Sequence, residues 1–456
     1  MGWGWPILRM LMLFQVVHWL CSYDSRLYFA DNALCWVNKC SNRLFRGTTL
    51  PREEDTDAIR NFNQLGSHLR GWLFAIIVRR RGYTAEKVLI PSTDSPQIEI
   101  ELLRPRRITS HDPHHHHHHH HHHSTHHPSK PHSEGFEDDD EYDDDNPHHH
   151  HHAQPEPPAD EKPLPMVVWF HGGGFVSGHA KDLDLDHVLL RYMSTRMIIA
   201  SVGYRLSPEA RFPNAVQDAL EATKWLFAQA EKFGGDPERF AVAGIDAGGT
   251  LAAVIHQQAQ KENIPLKLAG IFNPRLRYGA TTRSYVDYGH LSLPTALAIW
   301  QWRCYCDPKD TSDPRCCPMA ATMEDLRGLA PAVITSHRYS PLRDEIQEYY
   351  RKLVRANVHV YHTELRGSHA FALTADQPSA KRAAKAFEQG VISEGGSNSQ
   401  RSDVPAIYKL PEETPLLQPN KSANKQDRLP VDPQANKNNN TVVLPSEQIT
   451  VTRTAS

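Results

Sequence analysis

The chain lacks an uninterrupted apolar run of the ~20 residues that a membrane-spanning helix needs. Its nearest approach is Met10 to Val17, broken by Gln15; counting from Gly2 reaches the length only by taking in Arg9, Gln15 and His18. It also has little net charge, −3 over 456 residues, so the electrostatic footprint of a nucleic-acid binder is missing and no nucleic-acid partner is expected. Cysteine is sparse, with seven residues at 21, 35, 40, 304, 306, 316 and 317. An odd, scattered set excludes a fully paired disulfide framework, and Cys304-x-Cys306 with Cys316-Cys317 fits no zinc spacing. Buried free thiols are expected, with Cys35–Cys40 a short-loop disulfide if the domain is lumenal. No cofactor and no catalytic metal are expected. Apolar periodicity is nearly absent from residues 105–163 and 393–456, too little to pack a core there, which leaves one large domain.

Residues 1–22 read as a signal-anchor or a signal peptide, with Trp3, Trp5 and Trp19 suited to membrane interfaces, or alternatively as a buried N-terminal helix. Membrane association through this segment would place the domain on the endoplasmic reticulum lumen side; otherwise the chain is cytoplasmic. Residues 23–83 read as N-terminal helices. Ile59, Phe62, Leu65, Leu69, Leu73 and Ile76 recur at helical spacing, and Trp72 to Val78 runs into Arg79-Arg80-Arg81 as an amphipathic helix over the core or on a membrane surface.

From 84 to 392 the pattern alternates. Strands are predicted over 97–103, 166–170, 197–202, 239–244, 267–272, 332–336 and 358–362. Helices are predicted over 184–195, 215–233, 248–262, 341–356 and 375–389. This is the signature of an α/β fold with a mostly parallel, doubly wound sheet. The low-complexity stretch 105–163 belongs in a surface loop between two strands. It holds 19 of the 30 histidines beside an acidic run, Glu137 to Asp145. Imidazoles and carboxylates bind divalent transition metals, but a tolerated repeat tract that adsorbs them adventitiously is the simpler reading. Residues 393–456, rich in Pro, Asn, Ser and Gln, read as a disordered tail. Its sequons at Asn420 and Asn439 count only if lumenal, and its acidic dileucine-like Glu412 to Leu417 only if cytosolic.

Four segments carry chemistry. Phe170-His171-Gly172-Gly173-Gly174 follows a strand, and its glycines free backbone N–H groups to face a cleft and hold an oxyanion. Arg239 to Gly249 has the strand, sharp glycine-bounded turn and small-residue helix of a nucleophile elbow, G-x-S-x-G, but with Asp246 where serine is expected. The helix amide of Ala247, with Gly172 and Gly173, completes the expected oxyanion hole. Arg338 to Glu345 and Arg366-Gly367-Ser368-His369 each follow a strand. The chain order is therefore elbow, acid loop, histidine loop, that of α/β-hydrolases.

On these residues the chain resembles the hormone-sensitive-lipase-like family of α/β-hydrolases, and more narrowly the arylacetamide deacetylase group. Tyr204-Arg205-Leu206-Ser207-Pro208-Glu209, Phe212 to Asp218, Phe233 to Arg239, Thr311 to Arg315 and Pro341 to Glu345 also carry the likeness, over residues 164–392. The resemblance implies a carboxylesterase, lipase or deacetylase, with a cap built from the N-terminal helices and the segment near 275–305. The narrower group has an N-terminal membrane anchor and a lumenal domain. Tyr278, Tyr285, Leu293, Trp300 and Trp302 would line an apolar pocket or pack as core. The likeness fixes the catalytic positions at Asp246, Ser340 and His369. The family has serine at the first and aspartate at the second; only the histidine matches.

An elbow carboxylate attacking an ester would give an anhydride, and it would sit beside the N–H donors meant for the oxyanion. Ser340 cannot support an imidazolium as a carboxylate does. The expectation is a catalytically impaired hydrolase frame that works through a small apolar ligand or a protein partner, with Asp246 and His369 paired as ions. Two active alternatives stand beside it. In one, Asp246 is a covalent nucleophile toward epoxides or related substrates, as in haloalkane dehalogenases and epoxide hydrolases, with Asp344 or Glu364 as the acid behind His369. In the other, Ser340 attacks small apolar esters, His369 is the base and Asp246 orients it.

Overall fold

The computed structural model describes residues 75–76, 78–92, 97–106, 162–182, 196–291, 293–369 and 377–393. The N-terminal segment 1–22, most of the cap helices, the His-rich insert, the helix predicted over 184–195 and the tail lie outside the described residues. No helix among the described residues is long and apolar enough to cross a membrane.

Among the described residues, eight strands form one sheet in the order β1-β2-β4-β3-β5-β6-β7-β8. They are β1 (Tyr83–Ile90), β2 (Ile98–Pro105), β3 (Leu164–Phe170), β4 (Ile198–Gly203), β5 (Gly235–Ile245), β6 (Leu268–Phe272), β7 (Ala332–Tyr339) and β8 (Val360–Ser368). From β4 across to β8 every pairing is parallel, while β1 and β2 add antiparallel strands at one edge. Burial explains the difference in sequence. Strand β3, Leu-Pro-Met-Val-Val-Trp-Phe, is apolar almost throughout because both of its faces are covered. Strand β1 is an exposed edge that carries Glu86 and Lys87, the latter 2.6 Å from Glu99 of β2. That polar edge is why the sequence pattern does not reveal β1.

Among the described residues, helices that flank the sheet include α1 (Asn214–Ala228), α2 (Ala247–Gln258), α3 (Arg283–Tyr288), α4 (Thr295–Tyr305), α5 (Arg343–Arg355) and α6 (Gln377–Ile392). Two cores result. The larger joins α1, α2 and α5 to one sheet face through residues such as Val168, Phe170, Val242, Leu251 and Ile346. The smaller covers the other face with α6, where Phe387 packs among Trp169, Ala243 and Phe272. Val78, from the amphipathic stretch expected over the core or on a membrane surface, is buried in this second cluster.

The topology fixes where a site can form. After β3 the chain goes to β4 on one side, and after β4 it returns to β5 on the other. Loops at the carboxyl ends of β3 and β5 therefore leave in opposite directions and open a crevice between them, the usual ligand position in open α/β sheets. The two loops are the glycine turn after Phe170 and the elbow at Asp246. Their approach is close enough that a Cβ on Gly248 would collide with the carbonyls of Phe170 and His171. This small-residue helix start is thus required by backbone contact.

Candidate active site

Strand β5 ends in the elbow. Asp246 sits at φ 53°, ψ −116°, and α2 begins at the next residue. Its amide donates to the Phe272 carbonyl of β6 at 3.0 Å, so a neighbouring strand holds the strained turn. Opposite, Gly173 and Gly174 adopt φ 111° and 63°. These values turn both amides toward the elbow. The loop is braced beneath by His171, whose ring stacks on Tyr204 at 4.2 Å, and by the Tyr204 hydroxyl, which donates to the His171 carbonyl at 2.8 Å.

The Asp246 carboxylate fills the space these elements define. Its Oδ2 accepts from the Gly173 amide at 3.1 Å and the Gly174 amide at 2.8 Å. Its Oδ1 accepts from Arg275 Nε at 2.6 Å and lies 3.3 Å from His369 Nε2. The amides that meet the elbow carboxylate are those of Gly173 and Gly174, where Gly172 and Gly173 were expected to face the cleft. Ala247 is buried at the start of α2, as the elbow geometry requires. Burial on its own would raise the Asp246 pKa. The charge of Arg275, then the His369 contact, outweighs burial and holds the carboxyl far below the usual carboxylate range.

Arg275 was not foreseen. It follows β6 and its side chain is only 2% exposed. Thr250 of α2 fixes its backbone through two hydrogen bonds: the hydroxyl donates to the Arg275 carbonyl at 2.7 Å and accepts from its amide at 3.1 Å. The signal is readable only with the topology in hand: a buried elbow carboxylate needs a cation, and β6 pairs with β5, so a basic residue just past β6 is then the place to look.

Asp246, Ser340 and His369 do come together. Ser340 Oγ lies 3.4 Å from His369 Nδ1, but it is fully buried and accepts the Leu342 amide at 3.1 Å. A second residue, Asn273, was also missed. Held at φ 46° just after β6, it places its amide nitrogen 2.6 Å from His369 Nδ1. An ionised carboxylate only accepts, so His369 carries its proton on Nε2 toward Asp246, and Nδ1 accepts from Asn273 Nδ2. A serine hydrolase needs the reverse tautomer, with Nε2 free to take the nucleophile's proton. Neither proposed replacement acid reaches the ring. Asp344 is held by the Ser284 amide at 2.8 Å and Arg343 Nε at 2.9 Å. Glu364 is engaged with Arg338 at 3.4 Å and Gln347 at 3.3 Å.

Further out, Gln301 of α4 rests on the glycine turn, such that a Cβ on Gly174 would strike its side-chain amide. Trp302, Tyr285 and Leu293 are buried, so of the residues expected to line a pocket or pack as core, these three pack as core.

Buried titratable groups around the sheet give the fold a pH signature. Burial lowers His256 to about 4 and His362 to about 4, and burial with the nearby His369 lowers His337 to about 3. Burial pushes Glu345 up to about 8, against the Leu276 amide, which donates to it at 2.9 Å. Below an unfolded histidine pKa of ~6.5 the unfolded chain takes up the extra protons, so stability falls with pH down to about 3–4. Between ~4.3 and about 8 the folded chain holds a proton on Glu345 that the unfolded chain does not, so stability also falls as pH rises through this range. Three groups outweigh one on the acid side. Urea midpoints across pH 4–9 should therefore peak close to pH 7. The alkaline limb should slope by roughly half of the ~1.4 kcal/mol per pH unit that a full proton carries, level off above pH 8 and disappear in Glu345→Gln.

Among known families, the model described as the alpha/beta hydrolase fold matches residues 167–373. The esterase LipI of Mycobacterium tuberculosis is 36% identical over 206 residues, which is 44% of this chain and 63% of that protein. An arylesterase of Saccharolobus solfataricus is 30% identical over 214 residues, covering 45% of this chain and 68% of that enzyme. Among solved structures, the hyperthermophilic esterase from Pyrobaculum calidifontis superposes with a TM-score of 0.56 at 25% identity, over 78% of this chain and 97% of that one. The chain thus spans just under two thirds of the length of LipI, and about half that of the carboxylic ester hydrolase LipN of the same organism (52%). With its fold and site, it belongs to the α/β-hydrolase fold family and is of the hormone-sensitive-lipase-like kind. Within that family it is carboxylesterase-like.

Proposed function

We propose that this protein is an esterase frame closed on itself, of arylacetamide deacetylase type, acting by binding a small apolar ligand or a protein partner and not by ester turnover. One observation carries the reading: the elbow side chain occupies the oxyanion hole, with both glycine amides on Asp246 Oδ2 and Arg275 on Oδ1. The two glycine amides that could face an ester's developing charge are thereby taken, and removing such donors costs roughly 10²–10³ in rate even where the nucleophile remains. Here the hydroxyl nucleophile is missing too, and His369 is protonated toward the carboxylate.

The same contacts weigh against the active alternatives. A guanidinium 2.6 Å from Oδ1 withdraws the electron density that attack on an epoxide would need. Ser340 is buried beneath His369, away from the glycine amides. The purified full chain should show background turnover of p-nitrophenyl acetate and butyrate, equal to that of His369→Ala. Turnover in the wild type that disappears in His369→Ala would overturn the proposal. Membrane association through residues 1–22, with a lumenal domain, belongs to the same proposal. Glycosidase-sensitive sugar on Asn420 or Asn439 would support it, and an unglycosylated tail on a carbonate-soluble chain would oppose it.

A further inference from the structure

The end of the sheet opposite the crevice is rich in arginine. There β1 begins and β2 ends, Tyr83 lying beside Pro105. Strands β3 and β4 also begin there, because β2 runs antiparallel to β4 and β4 parallel to β3. Buried Val78 fixes the helical stretch before β1, so that Arg79, Arg80 and Arg81 emerge exposed at its end. Gly82, at φ 74°, closes that turn by donating its amide to the Arg79 carbonyl at 3.1 Å. The exit of β2 is tied to the same turn. Arg106 donates its amide to the Gly82 carbonyl at 2.8 Å and its Nε to the Tyr83 carbonyl at 3.1 Å. Arg104 joins from β2, its guanidinium 5.4 Å from the Phe233 ring and 3.6 Å from Glu86. Of the other carboxylates at this end, Asp236 holds Arg239 at 2.6 Å.

The sequence carries a counterpart on a tether. Between Arg106 and Lys162, both at this end of the sheet, the chain runs through Glu137 to Asp145, eight carboxylates in nine residues. Strand β4 alone separates β2 from β3, which sets the two anchor points about 10 Å apart. Thirty residues lead from Arg106 to Glu137, and sixteen from Asp145 to Lys162. At random-coil dimensions such lengths reach ~20–30 Å, and a tether of that reach presents its load at an effective concentration on the order of millimolar.

We propose that the acidic run Glu137–Asp145 docks on the rim formed by Arg79, Arg80, Arg81, Arg104 and Arg106. Planar guanidinium forks take carboxylates bidentately, which lysines do not. A single exposed ion pair contributes little, so the contact rests on many charges acting together and on the tether, and salt releases it. The docked run covers the start of β1, a strand edge that would otherwise offer its backbone to another chain. An anionic lipid surface also suits arginine, but the acidic run is joined to the rim at both ends and is present once on every molecule. The contact lies away from the crevice and leaves Asp246 and His369 as they are.

The test is arginine footprinting with phenylglyoxal on the full chain. The wild type is compared with a variant carrying Glu137→Gln, Glu141→Gln and Asp→Asn at 138, 139, 140, 143, 144 and 145. Chymotryptic peptides read by mass spectrometry report Arg79, Arg80 and Arg81 on 75–83, and Arg104 and Arg106 on the peptide that follows Leu103. Arg283 of α3, its side chain 77% exposed and beyond the carboxyl end of β6, is the internal control and should react alike in both proteins. In about 20 mM sodium chloride the rim arginines should react at least ~3-fold more slowly in the wild type than in the variant, and the difference should close in about 0.5 M salt. Equal rates at low salt would overturn the proposal. Protection that appears only when phosphatidylserine vesicles are added, and equally in both proteins, would also overturn it and assign the rim to a membrane.

Discussion

A chain carrying Asp246→Ser, Ser340→Asp and Arg275→Met should hydrolyse p-nitrophenyl butyrate at least ~10³-fold faster than the wild type, read as kcat/KM. Each change answers one defect of the site. A serine at the elbow returns a hydroxyl nucleophile and empties the oxyanion hole, so Gly173 and Gly174 can bind developing charge. An aspartate at 340 grows from a side chain already 3.4 Å from His369 Nδ1, and it sets the ring proton on that side. The third change is needed because a lone guanidinium at 2% exposure would otherwise face the new serine. Losing the serine, or the histidine, of a triad costs on the order of 10⁶, so a gain of ~10³ asks for only part of the machinery to work. Asp246→Ser with Ser340→Asp alone should be slower than the triple variant and less stable. A triple variant that is folded by circular dichroism yet no faster than wild type would show that the frame has lost catalysis beyond the elbow.

The second large effect is on stability. Arg275→Met alone should cost about 3–5 kcal/mol, because it leaves the Asp246 carboxylate buried and without its cation. In a domain of this size the loss lowers Tm by on the order of 10 °C. Pairing it with Asp246→Ser should recover most of the loss, since both charges then go together. The pH dependence carries a sign. In the wild type the Asp246 pKa is depressed, so its contribution is complete at neutral pH and is lost only below the unfolded value of ~3.9. Without Arg275, burial dominates and raises that pKa, so the variant's deficit should shrink as the pH falls toward 5. A deficit below ~1 kcal/mol at pH 7 would mean that the ion pair contributes little.

The frame was legible because its signals are local. Strand β3 is a buried apolar run, the glycines after it have no other explanation, and the elbow sits between strand β5 and helix α2 at fixed spacing. What escaped depends on pairings between distant segments. Asn273 and Arg275 lie just beyond β6, and nothing in Asn-Pro-Arg marks them as site residues until β6 is known to lie beside β5. Which two glycine amides face Asp246 follows from the positive φ of Gly173 and Gly174, a conformation that three consecutive glycines permit equally at each position. Helices α3 and α4 were read only as a cap or lining segment, because they are short and their polar and aromatic residues keep no clean helical period.

The filled hole also changes what a visiting molecule would meet. In an open esterase, a ligand's oxygen displaces water from the glycine amides. Here it would have to displace a carboxylate attached to the same polypeptide, a competitor that cannot diffuse away or be diluted. A carboxylic acid offered from solution faces that rival at every concentration. A ligand of this crevice would therefore have to leave the amides alone and bind by shape against the residues around α4.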